Sequence, residues 1–218
     1  MSVGSIVFDL DGVLVDSEQL WDRARRELVA ERGGSWRDEA TQTMMGMSSR
    51  EWSRYMHDAL RVDLDPAEIS AVVVDRLEQL YRQELPLLPG ARDAVTALAT
   101  IWPLGLASSA NREVIDLVLE LAELESCFDA TVSSEEVPHG KPAPDVYLEV
   151  ARRLAVAAVD CAAVEDSTNG LRAAAAAGMT VIALPNPAFP PTDDALRLAT
   201  AVIHSLDELR PTLSALRD

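Results

Sequence analysis

Residues 6–18 of the chain, IVFDLDGVLVDSE, place two acids at the end of a short apolar run. The apolar residues 6–8 are typical of a buried β-strand, and Asp9 and Asp11 follow them directly. Gly12 then allows the backbone to turn sharply away from the strand. In an open parallel sheet, ligands gather beyond the carboxyl ends of the strands, so these two acids are candidates for chemistry.

The composition is that of an acidic globular protein. The 218 residues are 48% hydrophobic and 25% charged, which is ordinary for a chain long enough to bury a core. The net charge of −17 repels nucleic acid and acidic membrane surfaces, so neither is an expected partner. An anionic substrate therefore requires a local positive site.

The cysteines and the length of the apolar runs indicate the cellular environment. Cys127 and Cys161 lie far apart in apolar surroundings and form no CxxC motif, so we expect reduced core residues. No run approaches the roughly 18 apolar residues of a membrane span, and the first residues lack a signal-peptide pattern. We expect a cytoplasmic protein without a membrane anchor, present as a monomer or a weak dimer.

The second half of the chain alternates short apolar runs with helical patterns. Strands buried on both faces are predicted at 104–107, 130–132, 161–164, 180–184 and 201–203. Stretches of helical length with apolar stripes separate them. This alternation predicts an α/β fold with a parallel sheet built from right-handed βαβ units.

Residues 17–86 follow a different pattern, with long helical stripes and no convincing strand. Leu20, Ala24 and Leu28 share one stripe, and a second stripe runs through residues 69–80. We interpret this segment as an all-helical domain inserted after the first strand. The α/β core is then expected to comprise residues 1–16 and 87–218.

Further polar residues follow the other predicted strands. Ser108 and Ser109 follow one strand, Glu165 and Asp166 follow another, and Lys141, the only lysine in the chain, lies in a turn. Like charges about 4 Å apart repel by roughly 4 kcal/mol at an effective dielectric of about 20, so the four acids cannot all stay ionised unaided. A divalent cation removes this conflict, and oxygen ligands favour Mg²⁺ over Ca²⁺ or Mn²⁺. Lys141 and the serines then suit a phosphoryl group.

Four motifs, in order along the whole chain, resemble those of the haloacid dehalogenase superfamily of phosphatases. They are DLDGVLVD at residues 9–16, Ser108-Ser109, Lys141-Pro142 and Glu165-Asp166-Ser167. The first motif is fairly specific, and the full set with its spacing is highly specific. The resemblance implies a Rossmann-like core and a helical cap inserted after the first motif.

The resemblance also implies a role for each motif residue. Asp9 would attack phosphorus to form an aspartyl-phosphate, and Asp11 would protonate the leaving oxygen and then activate water. Lys141 and Ser108 would hold the phosphoryl oxygens; Ser108 is favoured over Ser109 because it ends the strand, and either serine can instead cap the next helix. The implied Mg²⁺ ligands are Asp9, the main-chain carbonyl of Asp11, Asp166, and Glu165 unless it only supports Asp166.

Other stretches resemble a branch of small-sugar phosphatases, of the hexitol-phosphate and 2-deoxyglucose-6-phosphate type. These stretches are DSEQLWD at 16–22, LLPG at 87–90 and VEDSTNG at 164–170. The implied substrate is a small phosphorylated metabolite such as a sugar phosphate. Glu18, Trp21 and Arg50 are the candidate substrate-binding residues, although Trp21 can instead pack in the core and Arg50 can remain solvated.

Two alternative functions share parts of this chemistry. A phosphosugar mutase of the β-phosphoglucomutase type uses the same aspartyl-phosphate, but that branch typically carries a histidine about where Trp21 stands. A signalling receiver module also combines clustered acids, Mg²⁺ and a lysine, but it is much shorter than this chain and lacks a helical insertion. Both differences favour a hydrolase.

Overall fold

Six parallel strands form the centre of the computed structural model, which describes residues 3–216. The strands are β1 Ser5–Phe8, β2 Leu104–Ser108, β3 Ala130–Ser133, β4 Cys161–Glu165, β5 Thr180–Ala183 and β6 Ala201–Val202. They lie side by side in the order β3-β2-β1-β4-β5-β6. The prediction of an α/β fold with a parallel sheet is confirmed, and every predicted strand overlaps an observed one.

The strand order places β1 between β2 and β4. Phe8 is in register with Leu106 of β2 and with Val164 of β4. The backbone N–H of Asp9 continues this pairing by donating to the carbonyl of Val164 at 3.0 Å. The residues that follow these three strands therefore emerge next to one another at one edge of the sheet.

Alternate side chains of β1 enter the two faces of the sheet. Ile6 and Phe8 belong to one hydrophobic cluster, whereas Val7 belongs to the cluster on the opposite face. All three side chains are fully buried, and burying a side chain of this size contributes about 1.5–3 kcal/mol. The apolar strand thereby fixes the position of the acids at its end.

The α-helices of residues 3–216 form two groups. Four helices follow β1: α1 Glu18–Glu31, α2 Ala40–Met44, α3 Ser49–Asp58 and α4 Pro66–Gln83. The remaining helices alternate with the later strands: α5 Ala91–Ala99, α6 Arg112–Ala122, α7 Asp145–Arg153, α8 Thr168–Ala176, α9 Asp193–Leu196 and α10 Leu209–Ala215. Among the residues described, no helix has the length and apolar character needed to cross a bilayer.

Local sequence signals determine where the helices of the first group begin. Asp65 caps α4 by accepting a backbone hydrogen bond, and Pro66 occupies the first turn. Glu68 accepts from the backbone N–H of Asp65 at 3.3 Å, which completes a capping box. Ser48 and Glu51 form the same arrangement at the start of α3.

The first helical group is joined to the sheet by two adjacent chain segments. The backbone N–H of Asp16 donates to the carbonyl of Pro86 at 2.8 Å, and that of Leu88 donates to Leu14 at 2.9 Å. The two ends of the segment 17–86 are therefore adjacent in space.

Cys127 and Cys161 are both free thiols. Cys161 is buried and lies 3.0 Å from the hydroxyl of Ser5, which donates to its sulfur. Cys127 is half-buried and packs at the edge of the larger hydrophobic cluster rather than inside it. The prediction that both cysteines are core residues is therefore confirmed in full for Cys161 and only in part for Cys127.

Candidate active site

Lys141 connects the ends of three neighbouring strands. Its ammonium donates to Oδ1 of Asp9 at 2.7 Å, to the carbonyl of Ala107 at 3.0 Å and to Oε1 of Glu165 at 2.6 Å. These acceptors occupy all three donors of the ammonium group. Because Lys141 is only 3% exposed, its position is fixed by these contacts and by the surrounding packing.

Three buried carboxylates lie close enough to share a cation. One carboxylate oxygen from each of Asp9, Glu165 and Asp166 lies within 4.8 Å of the others. Carboxylate oxygens are the ligands that hard divalent cations prefer. The Asp11 side chain is not a member of this group, so the expected contribution of Asp11 to a metal site rests on its main-chain carbonyl.

Glu165 is held by hydrogen bonds on both carboxylate oxygens. Its Oε1 accepts from the hydroxyl of Tyr147 at 2.7 Å as well as from Lys141. Its Oε2 accepts from the backbone N–H of Asp166 at 3.1 Å and from the hydroxyl of Ser167 at 3.2 Å. Glu165 therefore positions both Lys141 and the loop that carries Asp166, whether or not it also contacts a cation.

Two glycines allow the backbone to approach these acids closely. A Cβ atom at Gly170 would lie 1.8 Å from Oε1 of Glu165, and one at Gly12 would lie 2.0 Å from Oδ2 of Asp166. Gly12 also has a φ of +79°, which side chains rarely adopt. The sharp turn expected after β1 therefore depends on glycine for two separate reasons.

A single ammonium does not balance the buried acids. Burial raises the pKa of Asp9 to about 8; Lys141 opposes this rise, and the carboxylates of Glu165 and Asp11 reinforce it. Burial also raises the pKa of Asp166, with Glu165 and Asp9 adding to the effect. Burial alone would lower the pKa of Lys141, but Asp9 and Glu165 raise it, so the ammonium stays charged. A divalent cation would favour the ionised form of Asp9.

Asp11 is held by two donors from the start of the helical segment. The hydroxyl of Ser17 donates to Oδ1 of Asp11 at 2.5 Å, and the indole N–H of Trp21 donates to the same oxygen at 3.1 Å. Burial raises the pKa of Asp11, while these hydrogen bonds and the charge of Arg25 oppose the rise. Within residues 3–216, Oδ2 of Asp11 has no hydrogen bond.

A small cavity separates the sheet edge from the first helical group. The sheet side of its wall includes Asp9, Asp11, Lys141 and Asp166, and the helical side includes Glu18, Trp21, Arg25 and Trp52. The space open to the centres of water molecules is about 40 Å³. That volume holds only a few waters.

The two candidate phosphate-binding serines occupy different positions. Ser108 is fully buried, and its Oγ accepts a hydrogen bond from the backbone N–H of Ala110 at 3.0 Å. Ser109 lies in the cavity wall, where its hydroxyl donates to the carbonyl of Gly46 at 3.0 Å. The structure thus brings Ser109, rather than Ser108, to the cavity wall.

The three candidate substrate-binding residues are also separated. Glu18 is 8% exposed and Trp21 is 4% exposed, and both line the cavity. Burial raises the pKa of Glu18 to about 7, although Arg25 opposes the rise. Arg50 is exposed and lines a different surface cleft, so the structure does not bring it to the site.

Arg25 lines the cavity and was missed by reasoning from the sequence. Its guanidinium carbon lies 4.8 Å from the ring centre of Trp21 and 5.0 Å from that of Trp52. Arg25 follows Glu18 by seven positions and Trp21 by four, a spacing that places all three on one face of α1. This spacing is the signal that would have identified it.

Comparisons with known sequences agree with one another. A family model described as haloacid dehalogenase-like hydrolase matches residues 3–178. Hexitol phosphatase B of Escherichia coli strain K12 is 36% identical over 220 residues, which cover 93% of this chain and 92% of that protein. The probable pseudouridine-5'-phosphatase of Drosophila melanogaster is 33% identical over 212 residues, which cover 94% and 90%.

Solved structures show the same architecture. CbbY from Rhodobacter sphaeroides, in complex with phosphate, is 27% identical with a TM-score of 0.81, covering 95% of this chain and 96% of that one. β-Phosphoglucomutase from Clostridium difficile shares the fold at 20% identity, with a TM-score of 0.83 and 99% of each chain covered. The resemblance inferred from the four motifs is confirmed: the chain belongs to the haloacid dehalogenase-like hydrolase family.

Proposed function

We propose that the protein is a Mg²⁺-dependent phosphatase that hydrolyses a phosphorylated carbohydrate through an aspartyl-phosphate. The supporting observation is the 2.7 Å contact between Lys141 and Asp9, next to the carboxylates of Glu165 and Asp166. A nucleophile, a fixed ammonium and hard-cation ligands in one buried place are the parts that phosphoryl transfer requires. The name of hexitol phosphatase B, a relative at 36% identity, supports a carbohydrate substrate.

The proposed reaction has two displacement steps. First, a carboxylate oxygen of Asp9 attacks phosphorus, the bond from phosphorus to the leaving oxygen breaks, and Asp11 gives a proton to that oxygen. Next, Asp11 takes a proton from water, the water oxygen attacks phosphorus, and the bond from phosphorus to Asp9 breaks. Inorganic phosphate leaves and Asp9 is restored. Each step has a lower barrier than direct hydrolysis.

Lys141 alone does not keep Asp9 ionised at neutral pH, and a bound divalent cation would favour the ionised form. Asp9 must be ionised to attack, and Lys141 opposes the effect of burial, which raises the Asp9 pKa to about 8. Asp9, Asp166, Glu165 and the main-chain carbonyl of Asp11 are the proposed Mg²⁺ ligands. When bound, Mg²⁺ would neutralise charge on the phosphoryl group. Lys141 and Ser109 are the proposed donors to the phosphoryl oxygens.

We further propose that residues 17–86 act as a cap over a core formed by residues 1–16 and 87–218. A cavity of about 40 Å³ is too small for a sugar phosphate, so the cap has to move before a substrate enters. The contacts that would separate include Ser109 with Gly46 at 3.0 Å and Ser49 with Asn111 at 2.7 Å. Cap closure would then exclude bulk water from the aspartyl-phosphate.

A phosphate-release assay tests this function. Purified protein is offered a panel of hexitol and hexose monophosphates and p-nitrophenyl phosphate, with Mg²⁺ or with EDTA. We expect release with Mg²⁺, loss of release in EDTA, and no activity in Asp9→Asn. Equal phosphate release by wild type and Asp9→Asn would contradict the proposal, as would absence of release from every compound.

³¹P NMR separates hydrolysis from phosphoryl transfer between sugar positions. With β-glucose 1-phosphate and a glucose bisphosphate primer, we expect inorganic phosphate as the product. Accumulation of glucose 6-phosphate without free phosphate would identify a mutase instead.

A further inference from the structure

The guanidinium of Arg25 is buried, and its Nε has no hydrogen-bond acceptor. Arg25 is only 5% exposed, and its Nε is inaccessible and makes no hydrogen bond. Within residues 3–216, Arg25 makes no hydrogen bond or ion pair; it contacts the faces of Trp21 and Trp52, and its charge interacts at longer range with Glu18 and Asp11. A buried N–H donor without an acceptor is unfavourable. This arrangement therefore points to an acceptor that arrives in the cavity.

The two tryptophans fix the plane of the guanidinium. The ring centres lie 4.8 Å and 5.0 Å from the guanidinium carbon, and the rings attract the cation. They do not accept hydrogen bonds from the N–H groups, which point outward in the guanidinium plane. Trp21 also donates to Oδ1 of Asp11 at 3.1 Å. Arg25 is thus held beside the acid proposed to protonate the leaving oxygen, where the non-phosphoryl part of the substrate would lie.

Glu18 complements Arg25 in the same wall. Its carboxyl is 8% exposed and has no hydrogen bond among the residues described. Glu18 and Arg25 belong to one face of α1, and both line the cavity. Together they offer one group that accepts hydrogen bonds and one that donates them, which suits hydroxyl groups because a hydroxyl both donates and accepts.

The charge of the cavity selects against an anionic leaving group. Besides Glu18, the wall contains the carboxyls of Asp9, Asp11 and Asp166, whereas Lys141 is already bonded to Asp9 and Glu165. A second anion on the substrate would face these carboxyls across a small space, and Arg25 is the one cation of this wall, among the residues described, that forms no ion pair. A neutral leaving group avoids this repulsion.

We propose that Arg25, with Glu18, forms a specificity subsite that binds the hydroxyls of a neutral polyhydroxylated leaving group. This inference rests on the proposed phosphatase activity. Arg25, which lines the cavity and contacts two aromatic rings, would recognise the leaving group of the substrate. No catalytic step is assigned to it.

The test compares two leaving groups in matched variants. Arg25→Met keeps the length and the apolar contact with the tryptophans but removes the donors, and Arg25→Lys restores a shorter donor. Arg23→Met is the control, because Arg23 lies on α1, is exposed and pairs with Glu27. kcat and KM are measured with sorbitol 6-phosphate, which has a polyhydroxylated leaving group, and with p-nitrophenyl phosphate, which has none. Circular dichroism melts check that each variant is folded.

We expect Arg25→Met to lower kcat/KM for sorbitol 6-phosphate by about 30-fold or more, mainly through KM, because a charged hydrogen bond is lost. Because the charge of Arg25 also lowers the pKa of Asp11, kcat/KM for p-nitrophenyl phosphate should fall as well, but by much less than kcat/KM for sorbitol 6-phosphate. Arg25→Lys should have a kcat/KM for sorbitol 6-phosphate between those of wild type and Arg25→Met. Arg23→Met should match wild type with both compounds. Equal losses with both compounds, or no loss with either, would overturn the subsite.

Wild-type protein gives an independent answer that requires no folded variant. We expect a higher kcat/KM for sorbitol 6-phosphate than for two other compounds. One is n-hexyl phosphate, which lacks hydroxyls, and the other is 6-phosphogluconate, which adds a carboxylate. A preference for either alternative would refute the assignment. If p-nitrophenyl phosphate is hydrolysed and sorbitol 6-phosphate is not, the subsite fails while the phosphatase proposal stands. If no compound is hydrolysed, the phosphatase proposal itself fails.

Discussion

The indole N–H of Trp21 donates a hydrogen bond to Oδ1 of Asp11 across 3.1 Å, and it links the first helix of residues 17–86 to the acid that follows β1. Trp21 is 4% exposed, and its ring packs against both Arg25 and Trp52. The guanidinium of Arg25 thus covers one face of the indole on which a sugar ring could otherwise stack. We infer from this hydrogen bond that Trp21 orients Asp11, which is compatible with the absence of a histidine at this position.

Removal of this donor should slow the proton transfer. We expect Trp21→Phe to reduce kcat by about tenfold, since general acid–base catalysis typically contributes about 10²–10⁴-fold and Asp11 remains present. In the wild type, the hydrogen bond from Trp21 lowers the pKa of Asp11. Its loss should raise that pKa, so the limb of the pH–rate profile that reports Asp11 should move to higher pH. Steady-state kinetics between pH 5 and about 9 measure both effects.

Trp102→Phe is the matched control for the Trp21 substitution. Trp102 is 5% exposed and donates through its indole N–H to the carbonyl of Val3 at 3.1 Å, away from the cavity. Each variant should lose about 1 kcal/mol of stability through the lost hydrogen bond. Only Trp21→Phe should change the pH–rate profile, and an identical shift in both variants would rule out the positioning role.

Substitution of Lys141 should affect both stability and activity. Lys141→Ala leaves the carboxylates of Asp9 and Glu165 without their shared cation, and breaking such a buried pair costs about 3–5 kcal/mol. We expect kcat/KM to fall by about 10²–10³-fold, as for other groups that stabilise transition-state charge. Lys141→Arg should also lose activity, because the 3% exposed site has no room for a guanidinium.

Arg153→Ala serves as a control for these Lys141 variants. Arg153 pairs at 2.7–2.8 Å with Glu136 and Glu149 on the surface, and its side chain is 33% exposed. Loss of these exposed pairs should cost less than about 1 kcal/mol and leave kcat/KM unchanged. Chemical denaturation and phosphate release measure the comparison; wild-type activity in Lys141→Ala would contradict the assigned role.

Mg²⁺ should stabilise the protein more at pH 8 than at pH 6. The folded protein holds the Asp9 proton up to about pH 8, whereas 3.8 is the ordinary pKa of the unfolded side chain. Between these values the folded state binds more protons than the unfolded state, so metal-free stability falls as pH rises. Mg²⁺ competes with this proton and therefore binds more weakly at pH 6.

Thermal melts with and without MgCl₂ measure this dependence. At a Mg²⁺ concentration of about 100 times Kd the stabilisation is about 2.7 kcal/mol, which corresponds to roughly 5–10 °C in Tm. The Asp9→Asn, Asp166→Asn double variant should show little Mg²⁺-dependent shift at either pH. An equal Tm shift in the double variant would place the ion elsewhere.

Gly170→Ala should destabilise the protein even though Gly170 lies in helix α8. Alanine in a helix interior is normally favoured over glycine by about 1 kcal/mol. Here the added Cβ would lie 1.8 Å from Oε1 of Glu165, so either the helix or the carboxylate must shift. We expect a loss of about 2 kcal/mol or more, with reduced phosphate release because Glu165 positions Lys141.

The exposed end of the same helix supplies the comparison. Ala176→Gly should cost only about 1 kcal/mol through helix propensity and should leave phosphate release unchanged. Urea denaturation gives both values. A stability gain in Gly170→Ala would show that the backbone can yield at this position without cost.

The spacing of apolar residues and the order of the predicted strands and helices along the chain were sufficient to predict the architecture. A strand buried on both faces requires a continuous apolar run, and the acids beyond residues 6–8 mark where that run reaches the ligand-binding edge. The helical stripes of residues 17–86 likewise predicted a helical segment, and helices α1 to α4 lie there. Because parallel strands end at one edge of the sheet, the sequence was also sufficient to predict that four polar residues are neighbours: Asp9, Lys141, Glu165 and Asp166.

Tertiary packing alone decided the partners of each side chain in the cavity. Ser109 rather than Ser108 reaches the wall, Arg50 lies outside it, and Arg25 lies between two tryptophans contributed by α1 and α3. Helical spacing predicts which residues share a face of a helix, but it does not predict which residues of other elements pack against that face. Hydrogen bonds and ring contacts need positions correct to less than 1 Å or so, and such positions arise only when elements distant in the sequence pack against one another.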